Sequence, residues 1–477
     1  MNTRKILTGQ FDPVNHWYPK SLNATIHPMV NFFMNLSKDQ LIQRYCHLHP
    51  LVHKDGLREI LSYKPKHYRL AGTDLIHVTT ERGMRQMVVI ENNSCPSGQK
   101  SMPLLDDYKE QGGYRVFVDE TIKAALRGKR MISGCLAVLY DKNPMEASGY
   151  AAALADSFDE PVYLVPFYQN DENPDVRVTG QAIEIRTEEG AWLPARMIFR
   201  YLTQRPWNRL PISTRTIIFN PIICCLAGGR NKMVGAKAYD LYNAQLEGTG
   251  LKIITPETIW DVSKEEIPLW VAKMGGKAVI KIPYSNAGQG VFTIVNQKEL
   301  DAFMEDEYPY DQFIVQSLIG NYQWSSVSAV GRFYHVGTVP GPKGRSFAAD
   351  FRMMIHATDK GYRPLSVYGR RAKTPLSDQL EVGDSSWDML GTNLSFKDEK
   401  GGWDSETARL LLMDRRDFNR LGIGLDDLVD GYIQAVLSTI AIDKMACQLL
   451  NAKGQLKMKL FRSLNNDPSL IEEILIT

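Results

Sequence analysis

The chain has 477 residues, 44% of them apolar, with a formal net charge of +2 and six cysteines. That length supports about two to four domains, and the near-neutral balance gives no electrostatic reason to expect nucleic acid or an acidic membrane surface as a partner. No apolar run approaches the ~20 residues of a membrane span, the cysteines lack metal-ligand spacing, and Met1-Asn2-Thr3-Arg4-Lys5 leads into polar sequence, so a cytoplasmic protein is expected.

Residues up to about 55 read as helices and loops. His47, His49 and His53 cluster there, but Pro50 interrupts any helix that would align them. Gly72 to Thr79 is a strand candidate, and Met87-Val88-Val89-Ile90 is a second, running into Glu91-Asn92-Asn93-Ser94-Cys95-Pro96-Ser97-Gly98. A two-residue turn at Arg82-Gly83 pairs Glu81 with Met84 and carries the register to Asp74 opposite Glu91. Asn93, two along from Glu91, shares that face, so two carboxylates and an amide oxygen converge. Such hard oxygen ligands suit Mg²⁺ bound to ATP phosphates. A three-residue loop would instead place Asp74 opposite Asn92, on the other face.

From about 133 the pattern alternates apolar strands with helices, through Cys135–Tyr140, a small-residue helix from Glu146 to Ser157, Pro161–Phe167, Ala195–Phe199 and Thr216–Asn220. This predicts a parallel sheet covered on both faces, with Arg200 just past a strand's C-terminal end, where such sheets bind ligands. Cys224-Cys225 lies in an apolar run and reads as core. Next, Gly228-Gly229-Arg230-Asn231-Lys232 opens a helix from Met233 to Leu246, and Ala278–Pro283, carrying Lys281, leads into Tyr284-Ser285-Asn286-Ala287-Gly288-Gln289-Gly290. Glycines such as Gly288 and Gly290 let backbone N–H groups approach phosphate oxygens. Phe313–Ile319, including Gln316 and Leu318, is the following apolar strand. Asp350-Phe351-Arg352 and Leu365–Ala372 form further strands. Asp350 and Arg352 share a face, Arg370 and Arg371 point oppositely, and the spacing to Ala372 favours Arg370 for a cleft. A Gly391-Thr392-Asn393 loop, a helix from Asp426 to Leu450 and a possible strand at Leu456–Phe461 complete the chain.

In this succession the chain resembles the ATP-grasp superfamily, circularly permuted. Glu91-x-Asn93 with Pro96-x-Gly98 resembles the magnesium-binding strand end that normally closes the catalytic domain, whereas Lys459 and Phe461 stand where an unpermuted chain would place those ligands. The resemblance covers roughly 70–98 and 228–395. It implies an α/β fold of ATP-grasp lobes with a Rossmann-like pre-ATP-grasp domain: 1–105 a permuted segment of the C-terminal lobe, 106–227 the Rossmann-like domain, 228–320 the nucleotide lobe and 321–477 the C-terminal lobe.

By the same resemblance Asp74, Glu91 and Asn93 would hold Mg²⁺, and Lys232 and Lys281 the ATP phosphates. Ser285 to Gly290 would cover them, and the backbone at Gln316 to Leu318 would read adenine, although Ser317 replaces the acid that often holds the ribose. Arg352 and Arg370 would support the transferring phosphoryl group, Asn393 would orient phosphate or substrate, and Arg200 would hold the acceptor. The implied reaction joins a small-molecule carboxylate to an amine through an acyl phosphate, as in peptide or amino-acid ligases, and homodimers are common in the family. Phosphoryl transfer to a hydroxyl or a carrier His, and a catalytically silent nucleotide-binding protein, are the alternatives.

Overall fold

A computed structural model describes residues 2–169, 171–203, 209–285, 288–321, 323–380, 385–397 and 403–475. Three larger sheets organise these residues, and each is specified by a different sequence pattern.

The central sheet is built on parallel strands Cys135–Tyr140, Val162–Pro166, Trp192–Tyr201 and Ile217–Phe219. Leu136 to Tyr140 and Val162 to Pro166 are buried throughout, as expected of strands covered on both faces. The helix Pro144–Phe158 crosses between the first two, with Pro144 at its first turn. Its small residues permit close packing: a Cβ on Gly149 would lie 2.9 Å from the Tyr114 ring. The sheet is mixed rather than purely parallel, because Ala182–Arg186 and Val176–Thr179 extend it antiparallel on one side. On its other edge Arg4–Ile6 pairs antiparallel with Val162–Pro166. The first residues therefore belong to the central sheet, not to the C-terminal lobe assigned to all of 1–105. Asp175 anchors them, accepting from Asn2 N at 3.0 Å and Thr3 Oγ1 at 3.1 Å.

The second sheet is antiparallel, ordered Thr258–Ser263, Gln312–Gln316, Ala278–Lys281, Val291–Ile294. The third contains Phe333–His335, Leu70–Thr80, Arg85–Asn93, Ala349–Thr358, Gly361–Arg371 and Leu410–Leu411. Leu70–Thr80 lies inside it, with Arg85–Asn93 on one side and Ala349–Thr358, then Phe333–His335, on the other. A hairpin from the start of the chain is thus built into a sheet whose other strands come from its second half.

The Asp74–Glu91 pairing forms by a different route from the one expected. The loop holds three residues, since Thr79 pairs with Arg85 and Gly83 takes a left-handed φ of 75°. With the loop at Glu81 to Gly83, that register alone would put Ile90 opposite Asp74, not the Asn92 expected of a three-residue loop. A bulge between Asp74 and Leu75 absorbs the extra residue, so that Asp74 meets Glu91 and Gly72 meets Asn93.

The 25-residue helix Leu425–Leu449 packs on this sheet and on the helix Lys232–Gln245, and most of its residues are buried. Buried Asp443 on this helix accepts from Tyr63 Oη at 2.7 Å and from the backbone N–H groups of Lys66, His67 and Tyr68 at 3.0, 2.8 and 2.8 Å. It thereby fixes the chain entering the hairpin. Past this helix, Leu456–Phe461 is not a strand: Met458–Leu464 is helical. Met458, Phe461 and Leu464 recur every three residues and pack on the core, so the helical period wins over the two-residue one. Among the described residues no helix is long and apolar enough to cross a membrane.

Replacing Asp443 with Asn removes a charged acceptor from four donors. The expected outcome is a loss of about 2 kcal/mol in the urea-unfolding free energy, with the first transition coming from the hairpin region in hydrogen exchange.

Candidate functional site

The second and third sheets face each other across a cleft floored by the ends of the central strands. Residues from all three sheets line it, and it opens to solvent at its mouth.

Strand register builds one wall. Arg352 stands opposite Asp74, and Arg370 opposite Asp350. Arg352 donates through Nε and Nη2 to the two oxygens of Asp74 at 2.6 and 2.7 Å. Arg370 Nε donates to Asp350 Oδ1 at 2.9 Å, while its Nη2 contacts Asp350 Oδ2 and lies 3.0 Å from Asp74 Oδ2. Burial alone would raise the Asp74 pKa, but Arg352 and then Arg370 outweigh it and hold the carboxyl below its usual range. Burial pushes Asp350 up, with Arg370 opposing. Arg370 lines the cleft, whereas Arg371 turns away and stacks over Phe347 at 4.6 Å.

Glu91 and Asn93 line the cleft beside this wall. Asn93 Nδ2 donates to Glu91 Oε1 and to Gly72 O, both at 3.4 Å. Asn92, between them, points into the core, where its amide bonds Tyr68, Thr73, Ser438 and Thr439 and locks the strand end. Lys232, at the first turn of its helix, sits 3.6 Å from Glu91 Oε2 and donates to Ser285 O and Oγ at 2.8 and 3.2 Å. Lys281 is buried at the end of its strand. Burial lowers its pKa to about 8, with Glu91 opposing and Lys232 adding to the fall. Burial likewise lowers Lys232 against Glu91.

Gly288 lines the cleft at φ 73°, where an added Cβ would meet Asn393 and Trp387 at 3.2 Å. Asn286 and Ala287 of the same loop lie outside the described residues. Gly290, at φ 71°, accepts from Ile282 N at 2.7 Å and closes the turn. Asn393 donates to Ser395 O at 2.9 Å and also lines the cleft. Gln316 ends its strand facing the cleft, with Nε2 donating to Thr258 Oγ1 at 2.8 Å.

Three expectations change. Arg200 is fully buried and absent from the cleft wall. It donates to Asn220 O at 2.8 Å, Leu202 O at 3.4 Å and Ser94 Oγ at 3.4 Å, joining the sheet to the loop after Asn93. Leu318 lines the cleft with its side chain, but its backbone N–H donates to Ser326 Oγ at 2.7 Å and its carbonyl accepts from Ser326 N at 3.1 Å. That N–H is therefore engaged and is not aimed at a ligand. Asp74, finally, faces the cleft with both oxygens held by guanidinium groups. Among the described residues no three His, Cys, Asp or Glu gather as a metal site. Glu91 and Asn93 nevertheless fit Mg²⁺, which takes one or two protein oxygens and completes its shell with phosphate and water.

Sequence reasoning missed Lys142, Asn143 and Thr203, which line the cleft just beyond two central strands. The strand-end rule that suggested Arg200 applies to them directly. It failed at Arg200 because that side chain turns beneath the sheet end.

No family model and no curated protein matches the chain. Among solved structures it is similar to ATP-grasp proteins. With a RimK-domain ATP-grasp protein from Sphaerobacter thermophilus it shares 15% identity over 49% of this chain and 89% of that one, at a TM-score of 0.29. A glutathione synthetase-like effector from Globodera pallida gives 8% identity over 73% and 86%, TM-score 0.38. D-alanyl-alanine synthetase A from Vibrio cholerae gives 11% over 55% and 95%, TM-score 0.29. At such scores any assignment of function rests on the cleft's own side chains.

The arginine wall predicts a stability effect. Asp74→Asn leaves Arg352 buried without its bidentate partner, and the expected cost is about 3–5 kcal/mol, read as a lower thermal midpoint in nucleotide-free, metal-free protein. A residue needed only for metal binding would leave that midpoint unchanged. Because the folded Asp74 pKa is depressed, its stabilisation is present above the unfolded value of about 4. It is lost as pH falls through the folded value, so wild type and variant converge in strong acid.

Proposed function

We propose that the protein is an ATP-dependent ligase of the ATP-grasp type that joins a carboxylate to an amine. The observation that carries this reading is the arrangement of Glu91 and Asn93 from the N-terminal hairpin beside Lys232 and Lys281 from the nucleotide lobe, all on one cleft with Arg352 and Arg370. Such a set suits phosphoryl transfer, which needs positioning and charge neutralisation more than covalent help from the protein.

In this reading ATP lies along the second sheet, with its base near Gln316 and Leu318 and its phosphates on Lys232 and Lys281. Mg²⁺, held by Glu91 and Asn93, would neutralise phosphate charge. Arg352 and Arg370 are fixed by Asp74 and Asp350, so their remaining N–H groups are already oriented when negative charge builds on the transferring group. A carboxylate oxygen attacks the γ-phosphorus and the bond to ADP breaks, giving an acyl phosphate. The amine then attacks the acyl carbon, phosphate leaves with the bonding pair, and the amine nitrogen loses a proton. Gly288 and Asn393, packed side by side on the cleft wall, would help keep water from the acyl phosphate.

Glu91 has 28% of its side-chain surface exposed and supports little of the core, so Glu91→Gln should fold normally and lose Mg²⁺-dependent ATP turnover. ADP release from wild type with pooled acids and amines, followed by mass spectrometry, reads the reaction. A product lighter by one water than its parents supports ligation, whereas one heavier by a phosphate group points to a kinase. Nucleotide affinity should also depend on pH. With the free Lys281 near 8, the phosphates bind its protonated form, so affinity is flat below 8 and weakens as pH rises through it. The loss between pH 7 and 9 is roughly tenfold, measured with a fluorescent ATP analogue. Lys281→Arg, which stays charged, should flatten the profile.

A further inference from the structure

One polar side chain on the cleft has no role in the arrangement described so far. His335 ends the strand Phe333–His335 and lines the cleft. Its backbone N–H donates to Gly320 O at 2.8 Å, which joins this strand to the chain leaving Gln312–Gln316. Its ring Nδ1 is buried and meets no hydrogen-bond partner among the described residues. Buried polar groups in folded proteins are almost always paired, so an unpaired nitrogen on a cleft wall calls for a partner from a ligand. A half-turn about the Cβ–Cγ bond keeps the outline of the ring and exchanges its nitrogens with carbons, so the edge given to the cleft can carry a nitrogen. Burial lowers the imidazole pKa to about 4. The ring is therefore neutral near pH 7 and offers one donor and one acceptor.

Strand register decides which part of a ligand His335 can reach. It stands opposite Val78 on Leu70–Thr80 and shares that residue's face. Asp74 and Ile76 line the cleft from the same face, because side chains alternate along a strand. Val78 lies four residues beyond Asp74, roughly 13 Å at the usual strand rise. His335 is thus too far from Asp74 and Arg352 to act on a transferring phosphoryl group. It lies instead at the end of the cleft framed by Ile76, Ile90, Val279, Leu318 and Ile319. Ile76 and Ile90 stand on the third sheet and Val279 on the second, and all three keep part of their surface exposed. Apolar side chains on opposed walls, with few polar groups among them, suit a flat heterocycle.

The main chain at this end is already engaged. Ser317 N donates to Glu257 O at 2.8 Å and Leu318 N to Ser326 Oγ at 2.7 Å. Leu318 O accepts from Ser326 N at 3.1 Å, and Gln316 pairs with Val279 on one side and Thr258 on the other. Polar recognition there falls to side chains, and His335 supplies one.

We infer that His335 is a specificity-determining residue for the nucleotide: its imidazole hydrogen-bonds the nucleoside while the apolar residues of both sheets hold the base. This rests on the ligase reading above, which places ATP in the cleft, and adds a contact which that reading does not assign.

The test is calorimetric titration of the full-length protein with the Mg²⁺ complexes of ATP, 2′,3′-dideoxyATP and tripolyphosphate, in wild type, His335→Phe and His335→Leu. Expected is about tenfold weaker ATP binding in both variants, with the tripolyphosphate affinity within about twofold of wild type. A merely structural role would weaken both ligands together. Thermal melts of nucleotide-free protein verify that the variants fold, and either variant alone decides the outcome. DideoxyATP locates the contact. An affinity unchanged by the substitutions puts His335 on a ribose hydroxyl, and a loss equal to that of ATP puts it on the base. ATP affinity unaffected by the substitutions, or ATP and tripolyphosphate weakened alike, overturns the inference and leaves the ligase reading standing. If wild type binds no ATP, the ligase reading falls first and this inference falls with it.

Discussion

Everything in the cleft depends on how Leu70–Thr80 is registered between Arg85–Asn93 and Ala349–Thr358. That strand places Asp74 opposite Arg352 on one side and opposite Glu91 on the other. A shift of one residue would turn all of these side chains to the opposite face. Three buried devices hold the register. The bulge beside Asp74 reconciles the loop length with the pairing, Asn92 ties the strand end to Ser438 and Thr439, and Asp443 fixes the chain before the hairpin. The long helix carrying Ser438, Thr439 and Asp443 also packs against the helix that presents Lys232. The carboxylate and amide of the hairpin and Lys232 are therefore referenced to one helix.

The electrostatics divide the cleft into two parts. Around Asp74 and Asp350 each buried charge has a partner, which keeps Arg352 and Arg370 protonated and oriented. Desolvating a charge is costly unless it is paired in this way. Around Lys281 and Lys142 burial instead pulls lysine pKa values down to about 8. The first region is complete within the protein.

Much of this site was legible in the sequence because it is built from local patterns. Glu91 and Asn93 stand two apart on a strand, Lys281 ends an apolar strand before a glycine-bearing loop, and the spacing of Arg370 to Ala372 selected the arginine that enters the cleft. The pairing of Asp74 with Glu91 was reached through a turn that the chain does not use, and the bulge that restores it has no signature in these residues. Arg200 obeyed the strand-end rule in position but not in direction, since its guanidinium finds three acceptors beneath the sheet end. Leu318 lies on the strand expected to read a base, yet Ser326, eight residues on, takes its N–H.

The sequence by itself determined most of the strands and helices around the cleft, though not the helix at Met458–Leu464, and which polar residues sit at strand ends and glycine turns. These follow from hydrophobic period and backbone permissiveness, both of which act over a few residues. It also placed Glu91 and Asn93 towards the start of the chain and Lys232 and Lys281 in its middle. Only the tertiary structure decided that these belong to one cleft, that Asp74 is held by arginines, and that Arg4–Ile6 completes the central sheet. It alone brought His335 to the cleft, across from Val78. The reason is physical: where a side chain points, and which charge neutralises which, depends on partners tens to hundreds of residues away, and these meet only when the sheets pair and the long helix packs across them.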